Sequence, residues 1–188
     1  MYLIAARRWE GPAWWSGGTV PDGLLCRRKE RGAGEADRVK FLIRDAVPAD
    51  MAVLADVFRR SSLSNEGDRM NLLANPDALE FPGAADGRRT RVAAAADGRI
   101  AGFATCLMAG EAVELDDLFV DPGWMRRGAG RALVLDLVAI ARDQRARRIE
   151  VTANQHALVF YEKAGFIYDH DVMTRFGPAP RMHLDVVP

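Results

Sequence analysis

A chain of 188 residues is long enough to bury one sizeable core and short enough to form a single domain. Its 26 Lys and Arg balance its 26 Asp and Glu, so the overall charge demands neither nucleic acid nor an anionic membrane. Cys26 and Cys106 form no CxxC or Cys/His metal pattern, and no apolar run approaches the roughly 20 residues of a membrane span, so we expect a soluble protein of a reducing, cytoplasmic compartment without metal, nucleic-acid or membrane partner.

Residues 1–40 combine RRWEGPAWWSGG with RRKERGAGEADR and sustain no period of two or of 3.6. They read as a poorly ordered extension, or as the product of a reading frame that starts upstream of the domain. Trp9, Trp14 and Trp15 there offer material for a buried staple or a partner motif. From Val39 the pattern becomes regular. VKFLIRDA predicts a strand, and VPADMAVLADVFRRSS a helix with Asp50 near its start and Met51, Leu54 and Phe58 at helical spacing. Residues 59–81 carry Asn65, Glu66, Asp68 and Asn71, which suit helix capping first and the binding of a polar amine second. RTRVAAAA, DGR and IAGFATCLM predict a hairpin, in whose second arm Cys106 reads as a small buried hydrophobe. AVELDDLFV, residues 112–120, predicts a strand closed by Asp121-Pro122-Gly123. A strict period of two there puts Glu114, Asp116, Leu118 and Val120 on one face, with Leu115, Asp117 and Phe119 on the other. A helix follows from Arg131 to about Arg148, with Leu133, Leu137 and Ile140 on one face and the cations of RDQRARR at its negative end. RIEVTA predicts a strand, QHALVFYEKA a short helix ended by Gly165, and FIYDHDVMTRF with RMHLDVV an antiparallel pair. The order is mixed α/β, with strands gathered in hairpins around one or two βα units.

One stretch, VDPGWMRRGAGRAL at residues 120–133, joins a strand to a helix through two glycines. Unpaired backbone N–H groups and the positive end of a helix converge at such a junction, and glycine lets an anion approach the backbone closely. The lysine and hydroxyl of a P-loop are absent, and the third glycine of a dinucleotide fingerprint is missing. What matches is RxxGxA, as Arg127-Gly128-Ala129-Gly130-Arg131-Ala132 after LFVDP. Downstream, NQHALVFYEKAGF from Asn154 to Phe166 fits NxxAxxFYxxxGF at every marked position. In these two motifs, in this order and one helix and one strand apart, the chain resembles the GNAT superfamily of acyl-coenzyme-A-dependent N-acetyltransferases.

The resemblance implies a domain over residues 41–188 with a mixed, mostly antiparallel sheet flanked by helices, and acetyl-CoA as co-substrate. It implies that the strand carrying Leu118, Phe119 and Val120 splays from its neighbour and pairs with the pantetheine arm. Gly128, Gly130, Arg131 and Ala132, with Ala129 in the same loop, would offer N–H groups to the pyrophosphate, and Arg127 would add charge. Tyr161 takes the position of the family's usual general acid: a phenol with an ordinary pKa near 10 stays protonated at neutral pH and can donate to a departing thiolate. Asn154 caps the following helix and contacts the pantetheine. Glu114 ranks first as the base, with Asp116 and Asp117 as rivals that bind the substrate's ammonium, and ordered water as a further route. Residues 59–81 fall in the family's variable region, which shapes the acceptor pocket. The implied reaction is acetyl transfer to a primary amine of a small molecule or peptide, and a non-catalytic acyl-CoA-binding module is the alternative. The C-terminal strands could pair across a homodimer.

Overall fold

A computed structural model of the protein describes residues 40–81 and 87–186. The segment with Trp9, Trp14, Trp15 and Cys26 lies outside the described residues. Strands β1 (Leu42–Asp45), β2 (Arg89–Ala94), β3 (Ile100–Ala109), β4 (Ala112–Val120), β5 (Arg148–Thr152), β6 (Ile167–Thr174) and β7 (Gly177–Asp185) form one sheet in the order β1-β2-β3-β4-β5-β7-β6. Its pairings are antiparallel except β4 with β5, so the expected mixed, mostly antiparallel sheet is what forms. Helices α1 (Met51–Leu63), α2 (Glu66–Ala74), α3 (Ala129–Asp143) and α4 (Leu158–Ala164) flank it. Among the described residues no helix is long and apolar enough to cross a membrane.

Each face of the sheet buries its own core. On one, Leu133 and Leu137 of α3 and Tyr161 of α4 pack on Leu115, Leu118, Ile149 and Val151. On the other, Leu54, Val57 and Phe58 of α1 pack on Val92, Phe103 and Phe119, with Phe58 edge-to-face on Phe119 at 4.8 Å. The helical spacing read for α1 therefore marks its buried stripe. Asp50 sits at the start of α1, where its carboxylate accepts the Val47 N–H at 2.8 Å and pairs with Arg44 of β1 at 2.6 Å.

α3 starts two residues before the position expected from sequence and ends at Asp143, well short of Arg148. The cause is a left-handed turn at Arg145, φ 55°, after which Ala146 N–H donates to the Ala141 carbonyl and Arg145 N–H to that of Arg142. This is the usual closing motif of a helix, here with arginine where glycine is the common signal. Only Arg142 of the basic run remains in the last turn, and Arg148 already opens β5.

Candidate active site

The site begins with a register error. β3 pairs with β4 as Thr105 with Asp117 and then Cys106 with Leu115, so Asp116 is an extra residue in β4. Such a bulge shifts the side-chain alternation by one. Leu118 and Val120 accordingly join Val113 and Leu115 in the core under α3, while Phe119 enters the core under α1. The strict alternation expected for AVELDDLFV is thus wrong beyond Leu115: Leu118 and Val120 lie on the opposite face from Glu114.

β4 also parts from β5. The two run side by side only from Ala112 to Leu115, opposite Arg148 to Val151. Asp121 N–H donates to the Ala101 carbonyl at 2.9 Å, and antiparallel alternation then turns the N–H and C=O of Phe119 and Asp117 toward β3 and those of Leu118 and Val120 into the gap. Of the three residues expected to meet a pantetheine arm, Leu118 and Val120 thus turn their backbone to the gap, whereas Phe119 turns its own to β3. β3 holds β4 closely at this level, since a Cβ on Gly102 would stand 2.5 Å from the Phe119 carbonyl oxygen.

Beyond β4 the chain makes a turn at Pro122–Trp124 and enters α3 through Gly128, φ 95°, a left-handed conformation that suits glycine. Ala132 N–H bonds the Gly128 carbonyl at 2.9 Å, so the N–H groups of Ala129, Gly130 and Arg131 precede the first intrahelical bond and face outward, whereas that of Ala132 is spent. A cavity of about 370 Å³ opens there, lined by Val120, Gly128, Ala129, Gly130 and Arg131 and, on the far side, by Phe160 and Lys163 of α4. Arg127 does not line it. Its guanidinium lies over the Trp124 ring, 5.2 Å from the centroid. Arg126, held at φ 60°, and Lys163 line it instead, and neither was marked by the motif.

Tyr161 lies in the core under α3, fully buried, edge-to-face with Phe160 and Phe166 at 5.3 Å each. Among the described residues its hydroxyl has no hydrogen-bond partner. A buried polar atom left unpaired costs about 1–3 kcal/mol, so its retention points to a group that arrives with the ligand. Burial, and after it the charge of Asp117, pushes the phenol well above its ordinary value. A phenol so placed holds its proton throughout the neutral range.

On the α1 face a cleft of about 320 Å³ runs out from β4. Asp117 and Phe119 lie at its β4 end, Phe58 and Ser62 of α1 and Asp68 and Leu72 of α2 form one wall, and Arg175, Phe176 and Ala179 near the β6–β7 turn form the other. Asp117 is 4% exposed. Asn65 caps α2, its side chain accepting the Gly67 N–H at 3.1 Å, as expected. Asp68 does something else: one of its oxygens accepts N–H groups from Asn65 at 2.7 Å and from Asn154 at 2.9 Å, tying α2 to the loop before α4. Asn154 meanwhile accepts the His156 N–H at 2.8 Å, which is the expected cap. Arg175 closes the outer end by pairing with Asp77 and Asn75.

Glu114 is not among the residues lining this cleft. Both of its oxygens accept from Arg181 of β7, which also pairs with Glu150 of β5. Burial opposes the charge on Arg181, but the Glu114 and Glu150 carboxylates outweigh it and raise its pKa. Asp116 pairs with Arg88 at 2.6 Å. Cys106 is buried, and burial pushes its thiol up to about 11, far from a nucleophile's range. The short β4 spacing of three carboxylates thus separates into a strut, a surface pair and one cleft residue, which only the bulge decides.

A family model described as the acetyltransferase (GNAT) family matches residues 55–166. Glucosamine 6-phosphate N-acetyltransferase of Trypanosoma brucei brucei is 36% identical over 76 residues, 37% of this chain and 52% of that protein. An uncharacterized N-acetyltransferase of Mycobacterium tuberculosis is 39% identical over 85 residues, 43% of this chain and 54% of that protein. The chain spans about half the length of the curated relatives it matches. An N-acetyltransferase of Thermoplasma acidophilum, solved in complex with coenzyme A, shares the fold with a TM-score of 0.61 at 18% identity, over 78% of this chain and 99% of that one.

Proposed function

The chain belongs to the GNAT acetyltransferase family, and from that premise we propose that it transfers the acetyl group of acetyl-CoA to a primary amine of a small molecule or peptide, with Tyr161 as general acid. The observation that carries the reading is the Tyr161 hydroxyl, buried without a hydrogen-bond partner among the described residues and within reach of the Asp117 charge. The outward N–H groups of Ala129, Gly130 and Arg131 suit a pyrophosphate, and the free backbone of Leu118 and Val120 suits an amide-bearing arm in the gap. These residues fit acetyl-CoA as a substrate.

The chemistry follows from where protons can go. The amine nitrogen forms its bond to the thioester carbonyl carbon, and the C–S bond breaks as the oxyanion collapses. The proton shed by the nitrogen passes to a base, and Tyr161 supplies one to the departing sulfur. We assign the base position to Asp117, directly or through water, because it lines the cleft beside Phe119 and its charge is felt at the Tyr161 phenol. Glu114, the first candidate by sequence, has both oxygens engaged by Arg181, and we give it the role of holding β4 to β7. With Asp117 protonated and Tyr161 ionised after one turnover, return of a proton from the first to the second resets the site.

The test is release of free coenzyme A thiol from acetyl-CoA with a panel of primary amines, beside calorimetric titration of coenzyme A. Turnover with at least one amine is expected. Tight coenzyme A binding without turnover would favour the non-catalytic binding module, and absence of both would end the proposal.

A further inference from the structure

The acceptor cleft has a one-sided charge. Among the described residues four carboxylates line it, from Asp68, Asp77, Glu80 and Asp117, and Arg175 is the only permanent cation. That cation is taken, since Arg175 binds Asp77 and Asn75. The partners of Asp68 are neutral amides, with the His156 ring 4.0 Å away, and amides leave its negative charge in place. The charge is also spread along the cleft. Asp117 is at the β4 end beside the acid Tyr161, whereas Glu80 lies on the outer wall past α2.

We infer that the acceptor is a small organic dication, an amine that carries a second ammonium group besides the nitrogen to be acetylated. The inference rests on the acetyl-transfer reading above and names the substrate class for that site. At the β4 end Asp117 faces the reacting nitrogen, which must lose its proton. A second ammonium, which stays charged throughout, would lie toward Asp68 and Glu80. The apolar walls, Phe58, Leu72 and Phe119, suit the methylene spacer between the two nitrogens. A volume of about 320 Å³ is at the small end of ligand cavities and suits a small molecule. A phosphorylated amino sugar fits poorly, because its phosphate would meet carboxylates and a guanidinium already paired.

The experiment compares putrescine, n-butylamine and glucosamine 6-phosphate as acceptors at low and at physiological salt. Because the cleft carboxylates attract the second ammonium and salt screens that attraction, putrescine should exceed n-butylamine by about tenfold in kcat/KM, with the advantage shrinking as salt rises. Glu80→Gln should lower the ratio of putrescine to n-butylamine by about threefold, a readout that a general loss of fold would not move. Equal rates for the two amines, or a preference for glucosamine 6-phosphate, would overturn the dication. If no acceptor turns over, the failure belongs to acetyl transfer, and calorimetry of putrescine against n-butylamine on the coenzyme-A-loaded protein still decides the dication: tighter putrescine binding supports it and equal binding overturns it.

Discussion

On the proposed reading, the two sides of the sheet recognise their ligands by different means. On the α3 and α4 side, the proposed cradle consists of backbone: the N–H groups of Ala129, Gly130 and Arg131, and the edge of Leu118 and Val120 beyond the β4–β5 pairing. On the α1 and α2 side, the cleft consists of side chains held by ion pairs and amide bridges, such as Arg175 with Asp77 and Asn154 with Asp68. Backbone recognition needs a particular chain path and few particular residues, so one path serves one invariant ligand. Side-chain recognition changes with each substitution, so that face is the one free to set the acceptor. Tyr161 belongs to the core of one side and feels the charge of Asp117 on the other, and the sharpest tests of the contrast begin there.

Replacing Tyr161 with Phe has the largest expected effect. Loss of a general acid should lower kcat by about a hundredfold or more. Because the hydroxyl is buried without a partner, its removal should leave the melting temperature unchanged or raise it. Coenzyme A affinity should hold, since the ring still packs between Phe160 and Phe166. A fall in stability with little loss of rate would return Tyr161 to an ordinary core residue and break the division of labour.

Gly102→Ala probes the backbone side through its support. The new methyl would meet the Phe119 carbonyl oxygen at 2.5 Å and the Val120 Cα at 3.1 Å, both backbone atoms. Relief requires β3 and β4 to separate, at a cost of about 2 kcal/mol as for other overpacked sites. Urea unfolding measures that loss. Coenzyme A affinity should fall with it, because Leu118 and Val120 move with β4. An unperturbed affinity would separate the cradle from the β4 edge.

How much of this was legible in the sequence follows the same division. The Gly128–Gly130 loop and the Asn154–Phe166 run are readable because backbone paths leave residue-type signals, glycine for a left-handed turn and an Asn cap before a helix. The bulge at Asp116 leaves none: Asp-Asp in a strand looks the same with or without an extra residue, and with it go the faces of Leu118, Asp117 and Phe119. The end of α3 was misplaced for a similar reason, because Arg145 occupies a conformation that glycine usually announces. Asp68 with Asn154 joins positions 86 residues apart, which no local pattern encodes.

Acid should reach the side-chain face first. Arg44, by hydrogen bonding, holds the Asp50 carboxyl below its ordinary value, with burial opposing. A carboxyl with a depressed folded pKa stabilises above the unfolded value, near 3.9, and loses that contribution as pH falls through the folded one. Asp50→Asn should therefore cost about 1 kcal/mol at pH 7, a modest figure because Arg44 is 36% exposed. The difference from the parent should close as pH falls through the depressed folded value, followed by urea or thermal unfolding. A gap that persists in acid would mean that the side chain acts through the Val47 N–H rather than through its charge.

The smallest effect is expected from Glu114→Gln, and it decides the most. By sequence Glu114 is the first candidate for the base, and a base removed from a general acid–base site costs about a hundredfold or more in rate. In the fold its two oxygens bind Arg181, it does not line the cleft, and the bulge sets it apart from the strand edge that faces the gap. Gln keeps one acceptor for Arg181, while Glu150 continues to balance the guanidinium, so stability should fall by about half a kcal/mol. The rate should stay within about twofold of the parent, a change of barrier near 0.4 kcal/mol. Asp117→Asn, measured alongside, should lose the rate that Glu114→Gln keeps. The reverse pattern would move the base three residues back along β4 and require the acceptor to approach over Arg181, outside the cleft that the α1 face encloses.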